Sequence, residues 1–413
     1  NFNMKKSILF FSLLGILSCT SKVIPIEEIS FLHNNSNAQP SLVSNNGSLS
    51  LTWISSDEDM NAELNFRQFK DGDWLNPMTL AVGSDWFVNW ADFPTHAISG
   101  DQVLTSYLKK SAGGSYTYDV FLSLHNLSGE KVKEDFILNT DGFKAEHGFV
   151  SIVAKNDEGF LITWLDGRNT VEKDADGNHK PMTIRFAEIT NNGDIINEEE
   201  LDASVCDCCQ TSTTYTDKGP LVVYRDRSEK EVRDIYVTRN IDDKWEAPAA
   251  VHNDGWVIYG CPVNGPKVVS NSNNIAVSWF TVYDGKPRVN LSFSKTYGAS
   301  FDSPIKINDN NAIGRVDVVY INDKEVLVSY MEGDDFDTYL RLKKVSIDGK
   351  VSKPITISKI DSGRNTGVPQ LEIINDEIFV VWTFFENENN QLKTCLLYTS
   401  PSPRDQRGSR MPS

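Results

Sequence analysis

Short runs of alternating apolar and polar residues recur along the chain, and each run ends at a Trp or a Tyr. The closing aromatic residues are Trp53, Tyr107, Trp164, Tyr224, Trp279, Tyr330 and Trp382. Alternation with a period of two predicts strands that bury one face. The runs lie about 50 to 60 residues apart, enough for four short strands, which predicts an all-β chain folded as a β-propeller of four-stranded antiparallel blades. A helical solenoid would need apolar stripes at helical spacing, and the chain lacks them.

Two further marks keep the same register as the aromatic residue. A proline precedes it at one fixed distance in four runs, at Pro40, Pro94, Pro266 and Pro369. A Trp, Phe or Val follows it, with a proline three residues later, in the pairs Trp74 and Pro77, Trp245 and Pro248, Phe301 and Pro304, and Val351 and Pro354. We interpret this second mark as the start of the outermost strand, because proline is tolerated at a sheet edge.

The number of runs predicts seven blades, or six if one run is misread. The seventh repeat holds three strands before Thr394, and the stretch from Ile26 to Leu32 has the pattern of a further strand. We therefore expect this N-terminal strand to complete the last blade and close the ring. The predicted propeller domain covers residues 26–394, after a short linker at residues 20–25.

Both ends of the sequence call for a separate interpretation. Residues 1–19 have the basic start and short apolar run of a secretory signal, and the ending Ile16-Leu17-Ser18-Cys19 resembles the lipobox of bacterial lipoproteins. This resemblance implies an exported protein anchored to the bacterial cell envelope, on its periplasmic or surface face, by a lipid on Cys19; plain secretion is the alternative. Residues 395–413 resemble a translated sequencing adaptor, so we expect them not to be native.

Composition narrows the classes of partner. The formal net charge is −17, which disfavours nucleic acid because its phosphates would be repelled. A content of 39% hydrophobic residues allows a large core. We expect a monomer that uses no cofactor and meets a membrane only through its lipid.

One turn carries a family resemblance. The stretch Ser294-x-Thr296-x-Gly298-x-x-Phe301 resembles the Asp-box of the sialidase (neuraminidase) superfamily, with Thr296 in place of the Asp. The resemblance implies a propeller and a site in which three Arg bind a substrate carboxylate, an Asp is the acid, and a Glu activates a Tyr nucleophile. The first of those Arg is missing, because Ala38 occupies its position.

Blade topology predicts where a site would form. In an antiparallel four-stranded blade, the between-blade links and the second-to-third turns share one face, which we call the link face. We expect this face to gather the candidate substrate-binding residues Arg168, Arg225, Arg227, Arg315 and Arg364, of which Arg315 takes the repeat position held by Ala38 in the first copy. Ion pairing between blades is the alternative role for each Arg.

The same face supplies candidate catalytic residues. Asp92 is the candidate acid, and Tyr259 the candidate nucleophile, with Glu146 or Glu332 as its base. The function predicted first is an exo-α-sialidase-type glycoside hydrolase acting on an anionic glycan. The alternative is a non-catalytic propeller that binds a glycan, another anionic ligand or a protein.

Four cysteines fall in two neighbouring links of this face. In an exported chain such a cluster favours disulfides, and we expect Cys208 or Cys209 to bond with Cys261. A thiolate metal site with His147 nearby is the alternative, although the spacing matches no standard zinc pattern.

Overall fold

Each of the seven alternating runs forms the second strand of its own sheet in a computed structural model of the protein. The structure describes residues 27–30, 36–45, 47–155, 158–334, 336–386 and 389–398. Cys19 and the rest of the predicted signal lie outside these residues. Within the described residues, no helix is long and apolar enough to cross a membrane.

The strands follow one another along the chain, and long connections occur between blades, as at residues 84–95 and 251–266. In chain order they are β1 (Glu27–Ser30), β2 (Ser36–Asn45), β3 (Ser48–Ser56), β4 (Ala62–Lys70), β5 (Asp73–Trp74), β6 (Met78–Gly83), β7 (His96–Ser99), β8 (Gln102–Lys110), β9 (Tyr118–Asn126), β10 (Lys131–Ile137), β11 (His147–Ala154), β12 (Phe160–Asp166), β13 (Met182–Ile189), β14 (Ile195–Val205), β15 (Ser212–Thr216), β16 (Gly219–Arg225), β17 (Ile235–Ile241), β18 (Lys244–Trp245), β19 (Ala249–Ala250), β20 (Lys267–Asn271), β21 (Asn274–Tyr283), β22 (Lys286–Ser294), β23 (Ile305–Lys306), β24 (Asn311–Asn322), β25 (Glu325–Gly333), β26 (Thr338–Ser346), β27 (Ile355–Ile360), β28 (Gln370–Ile374), β29 (Glu377–Glu386) and β30 (Asn389–Tyr398). Short 3-10 helices cover Arg168–Val171 and Arg364–Thr366.

These strands form seven antiparallel blades, as predicted. Blades 1 to 6 contain β2–β6, β7–β10, β11–β14, β15–β19, β20–β23 and β24–β27, and blade 7 contains β28–β30 with β1. The first strands of the blades surround a central channel of about 550 Å³. The turn from Ser294 to Phe301 joins β22 to β23, the third-to-fourth position predicted for it.

The N-terminal strand closes the ring. β1 pairs antiparallel with β30, with Glu27 opposite Leu396 and Ser30 opposite Lys393. The prediction that an N-terminal strand completes the last blade is therefore confirmed, and so is the count of seven. β30 runs on through Tyr398, so the predicted domain end after Thr394 falls inside a paired strand. Residues 399–413 lie outside the described residues.

The aromatic residue of each run packs against the preceding blade. Trp53 shares a buried cluster with Phe379 and Val381 of blade 7, and Trp279 shares one with Leu221 and Val223 of blade 4. The other five aromatic residues repeat this arrangement, each with the blade before its own. Burial of such a side chain stabilises the fold by about 2–3 kcal/mol, so each blade depends on its neighbour.

The outermost strands explain the repeated Trp-x-x-Pro phrase. Trp74 lies in β5 and Pro77 separates β5 from β6, although both strands pair with β4. In blade 4, Trp245 lies in β18 and Pro248 stands between β18 and β19, and both strands pair with β17. Proline has no N–H to donate to the ladder, so it is accommodated where the edge strand is interrupted.

Removal of β1 tests the closure. A chain beginning at residue 33 should unfold at lower denaturant concentration than one beginning at residue 22, with a loss of about 2–4 kcal/mol, because β30 loses its ladder partner. Equilibrium unfolding followed by tryptophan fluorescence measures the difference. Equal midpoints for the two chains would show that β1 does not hold the ring closed.

Candidate functional site

The link between blades 1 and 2 crosses the opening of the central channel on the link face. The Gln210 side chain, between blades 3 and 4, donates a 2.6 Å hydrogen bond to the carbonyl of Ala91 in this link. The Arg315 guanidinium of blade 6 stacks 4.4 Å above the Trp90 ring. A segment that joins blades 1 and 2 and also contacts blade 6 must pass over the axis, so it brings Asp92 to the centre of this face.

A tyrosine connects two carboxyl groups beneath this link. The Oη atom of Tyr118, at the start of β9, lies 2.8 Å from Oε1 of Glu146 and 3.0 Å from Oδ2 of Asp92. Tyr118 and Asp92 are buried, whereas Glu146 is half-buried and borders solvent. We call these three residues the carboxyl–tyrosine cluster.

The backbone of β11 holds Asp92 in position. The Phe149 N–H donates a 2.7 Å hydrogen bond to Oδ1 of Asp92. A Cβ atom on Gly148 would lie 2.0 Å from Oδ2 of Asp92, so only glycine leaves room for the carboxyl group. Both contacts direct the carboxyl group of Asp92 toward Tyr118.

Burial changes the proton affinity of both carboxyl groups. It raises the pKa of Asp92 to about 7, against hydrogen bonds from Phe149 and Tyr118. Burial and the negative charge of Asp92 raise the pKa of Glu146 to about 8. The two groups titrate as a pair, and near neutral pH the pair retains a proton. The cluster can therefore donate and accept protons at physiological pH.

A buried histidine stands beside the cluster. Nδ1 of His147 lies 3.4 Å from Asp119, and its Nε2 lies 3.2 Å from Asp141 and 3.6 Å from Asp166. Burial by itself would lower the pKa of His147, but these three carboxylates outweigh it and raise the pKa to about 9. His147 is therefore a cation at neutral pH, and it joins blades 2 and 3.

Arg168 belongs to the same network. It contacts Asp166 at 2.7 Å, Glu198 at 3.0 Å and Asp141 at 3.4 Å. Asp141, His147 and Asp166 place ligand atoms close enough together for a metal ion, but the charged Arg168 already neutralises those carboxylates. This group acts as an ion-pair network between blades rather than as a metal centre.

The other predicted arginines make different contacts within the protein. Arg225 is fully buried and donates to the carbonyls of Arg233, Asn264 and Phe280. Arg227 pairs with Asp207 and Glu231. The guanidinium groups of Arg225 and Arg227 are therefore bound by backbone carbonyls and carboxylates of the protein itself.

The last two predicted arginines lie near the link between blades 6 and 7. Arg315 is buried and donates to the carbonyls of Gly363 and Gly367, at 2.8 and 3.0 Å. Arg364 lies in the second 3-10 helix with an exposed side chain. Arg364 is thus the predicted arginine best placed to meet a ligand from solvent.

The candidate catalytic residues do not all lie close to one another. Asp92 and Glu146 meet in the cluster. Tyr259 is 86% exposed, and the tyrosine bonded to Glu146 is Tyr118 instead. Glu332 is fully buried in blade 6, where it accepts hydrogen bonds from the Asp309 and Asn310 N–H groups and pairs with Arg341. Glu332 therefore fixes the link between blades 5 and 6 and stands apart from Tyr118, which lies in blade 2.

Sequence reasoning missed Tyr118, and a usable signal was present. Tyr118 closes the second-to-third turn of blade 2, in the stretch Ser115-Tyr116-Thr117-Tyr118. The topological rule that places Arg168, Arg225 and Glu332 on the link face applies equally to this turn. This turn contains neither Arg nor Glu, so it lacks the charged residues that marked the other turns of the link face.

The expected disulfide is absent from the structure, in which Cys206, Cys208, Cys209 and Cys261 are free thiols. The Sγ atom of Cys206 lies 3.9 Å from that of Cys208 and 3.6 Å from that of Cys209. Neither of these pairs is bonded, because a disulfide has an S–S distance of about 2.05 Å. His147, the suggested companion of a thiolate metal site, binds the three aspartates described above instead.

Comparisons with known proteins bear on the fold. No family model matches the chain, and no curated protein matches it by sequence. A polysaccharide lyase described as an ulvan lyase is similar in structure, with a TM-score of 0.56 at 8% identity, covering 94% of this chain and 100% of that one. The endosialidase of phage phi92 has a TM-score of 0.54 at 8% identity, covering 94% and 71%. Trypanosoma rangeli sialidase has a TM-score of 0.42 at 11% identity, covering 90% and 57%. At these identities the likeness to the ulvan lyase and the endosialidase shows a shared fold.

The raised pKa of His147 predicts a pH-dependent stability. Because its folded-state pKa lies above the usual value of about 6.5, its contribution is complete below pH 6.5 and is lost as the pH rises through about 9. The loss should amount to about 3 kcal/mol, and His147→Gln should abolish it. Urea unfolding at pH 6 and pH 9.5 measures the change.

The exposed His179 supplies the matched control. His179→Gln should keep the pH dependence of the wild-type chain. If the wild-type and His147→Gln chains lost equal stability over this pH range, the charge assigned to His147 would be wrong.

Proposed function

We propose that this chain is a carbohydrate-active propeller that cleaves an anionic glycan by acid–base chemistry at the link face. The observation that carries the proposal is the carboxyl–tyrosine cluster, in which Tyr118 bonds both Glu146 and Asp92. Two carboxyl groups that titrate near neutral pH beside an opening are typical of catalytic acids and bases. Two proteins with this fold, an ulvan lyase and an endosialidase, act on glycans, which supports a glycan as the substrate class.

Glu146 is the member of the cluster that a substrate meets first, because solvent reaches it. Near neutral pH the group with the higher pKa, Glu146, holds the proton of the pair, and Asp92 is ionised. In sialidase-type hydrolysis, Asp92 takes the phenolic proton of Tyr118 as its oxygen attacks the anomeric carbon, and Glu146 gives its proton to the departing glycosidic oxygen. A water then displaces the tyrosyl oxygen from the sugar: Glu146 takes a proton from the water, and Asp92 returns a proton to Tyr118. These roles are the reverse of those expected from sequence.

Access to Tyr118 depends on the link that crosses the channel. The Phe87 ring, in that link, stacks on the Tyr118 ring at a centroid distance of 4.1 Å. A sugar reaches the phenolic oxygen only when this part of the link moves aside. Glu146 can act as an acid or base without such a movement.

A non-catalytic glycan-binding propeller is the second candidate, and the arginines favour it. Arg168, Arg225, Arg227 and Arg315 all donate to carboxylates or carbonyls of the protein itself. A sialidase-type clamp needs guanidinium groups free to bind the substrate carboxylate. Arg364 is the one predicted residue whose exposure suits that role.

Replacing Glu146 tests the enzyme proposal. We expect the full chain to turn over at least one of three substrates: a fluorogenic sialoside, a fluorogenic neutral glycoside or a uronate-containing polysaccharide. Glu146→Gln should lower kcat about 100-fold or more, because it removes the proton donor and acceptor. Fluorescence release, or the ultraviolet absorbance of an unsaturated uronate, follows the reaction.

The control for this experiment is Glu58→Gln, which changes an exposed carboxylate in the second-to-third turn of blade 1. Its kcat should equal that of the wild-type chain. Full activity of Glu146→Gln would remove Glu146 from the mechanism. Binding of the sugars without turnover would select the non-catalytic candidate.

A tyrosine pair separates the two assignments of the nucleophile. Tyr118→Phe should lower kcat about as much as Glu146→Gln, because the phenolic oxygen is lost. Tyr259→Phe should leave it unchanged, because that side chain stands in solvent. Steady-state kinetics of both variants decide the assignment, and a loss confined to Tyr259→Phe would restore the residue chosen from sequence.

A further inference from the structure

Four thiols lie in two neighbouring links of the link face. Cys206, Cys208 and Cys209 belong to the link between blades 3 and 4, and Cys261 belongs to the link between blades 4 and 5. The first three place their Sγ atoms within 4.8 Å of one another. Cys261 is exposed, and its Sγ atom does not belong to this close group of three. Three thiols therefore meet in one place, and a fourth lies in the adjacent link.

The sulfur separations match the edges of a metal–thiolate tetrahedron. A Zn–S bond of about 2.3 Å gives S···S edges of about 3.8 Å in tetrahedral geometry. The measured separations from Cys206 are 3.6 and 3.9 Å. A disulfide would require a separation of about 2.05 Å, so these thiols are arranged for a shared central ion.

Buried positive charge favours the thiolate form. Nη1 of Arg233 lies 3.2 Å from Sγ of Cys206. Four thiolates and one Zn²⁺ carry a charge of −2, which Arg225 and Arg233 would balance.

The backbone around the thiols is held in place without any ion. The Cys206 N–H donates a 2.9 Å hydrogen bond to the Arg225 carbonyl. The Gln210 side chain accepts from the Gly265 N–H at 2.9 Å and donates to Ala91 at 2.6 Å. A Cβ atom on Gly265 would lie 2.1 Å from the Gln210 carbonyl oxygen, so the two links approach closely. Such a frame keeps ligands in position for binding.

We propose that Cys206, Cys208 and Cys209 bind Zn²⁺ through their thiolates, and that Cys261 of the neighbouring link supplies the fourth ligand of a tetrahedral site. The ion would join the links that follow blades 3 and 4, which lie next to the link carrying Asp92. It replaces the disulfide expected from sequence as the covalent tie in this region. The proposal does not depend on the chain being an enzyme.

Metal binding by the full chain tests the proposal. Protein reduced and stripped of metal should bind one equivalent of Zn²⁺ in competition with a chromophoric chelator. Co²⁺ in place of Zn²⁺ should give an intense thiolate-to-metal absorption and the visible bands of a tetrahedral site. Zn²⁺ should also raise the melting temperature, because it binds the folded state alone.

Single substitutions identify the ligands. Cys206→Ser and Cys261→Ser should each weaken Zn²⁺ binding about tenfold or more. Cys395→Ala, which changes a buried thiol in blade 7, should retain the wild-type affinity. Circular dichroism checks that each variant is folded. If a variant does not fold, the Co²⁺ spectrum of the wild-type chain still tests thiolate ligation.

Two results would overturn the site. One is the absence of stoichiometric Zn²⁺ binding by wild-type protein whose four thiols react fully with a thiol reagent. The other is a peptide pair cross-linked through Cys208 or Cys209 and Cys261 in the unreduced protein, found by mass spectrometry. Either result would return these cysteines to the disulfide interpretation or to a metal-free role.

Discussion

The contact of each blade with the preceding one is the interaction on which the rest of this structure depends. A single aromatic side chain in the second strand, such as Trp53 or Trp279, buries itself against the neighbouring sheet. A single blade would leave that surface exposed, so the units are stable only as a closed ring. Pairing of β1 with β30 supplies the last contact and joins the two ends of the propeller.

Ring closure gives the link face its chemistry. The link between blades 1 and 2 reaches over the axis, and there Asp92 meets Tyr118 of blade 2 and the backbone of Phe149 in blade 3. Packing from several blades removes water from these carboxyl groups, and burial raises their pKa values toward neutrality. The reactivity of the cluster is thus a consequence of where the link lies rather than of any one residue type.

Most of the arginines predicted to bind a substrate bind groups of the protein itself instead. Arg225 and Arg315 occupy link-face positions, yet their guanidinium groups bind backbone carbonyls of the neighbouring links. Carbonyl groups at the ends of strands need donors when they are buried, and a long side chain with several N–H groups meets that need. His147 and Arg168 likewise neutralise the carboxylates between blades 2 and 3. Positive charge on this face mainly holds the links together.

The sequence by itself determined the repeating unit, the number of blades and the closing strand. Alternation of apolar and polar residues and the spacing of the repeats are local features of the sequence, and they follow directly from the geometry of a strand. It also determined that Asp92, Glu146 and the cysteines share one face, since topology follows from strand order. Only the tertiary structure decided that Tyr118 rather than Tyr259 contacts Glu146. It also decided that Glu332 binds the link between blades 5 and 6, and that the thiols of Cys206, Cys208 and Cys209 lie close together without a disulfide. Those outcomes depend on how links from different blades pack across the axis, and on which partner each charged group meets first, which no local pattern records.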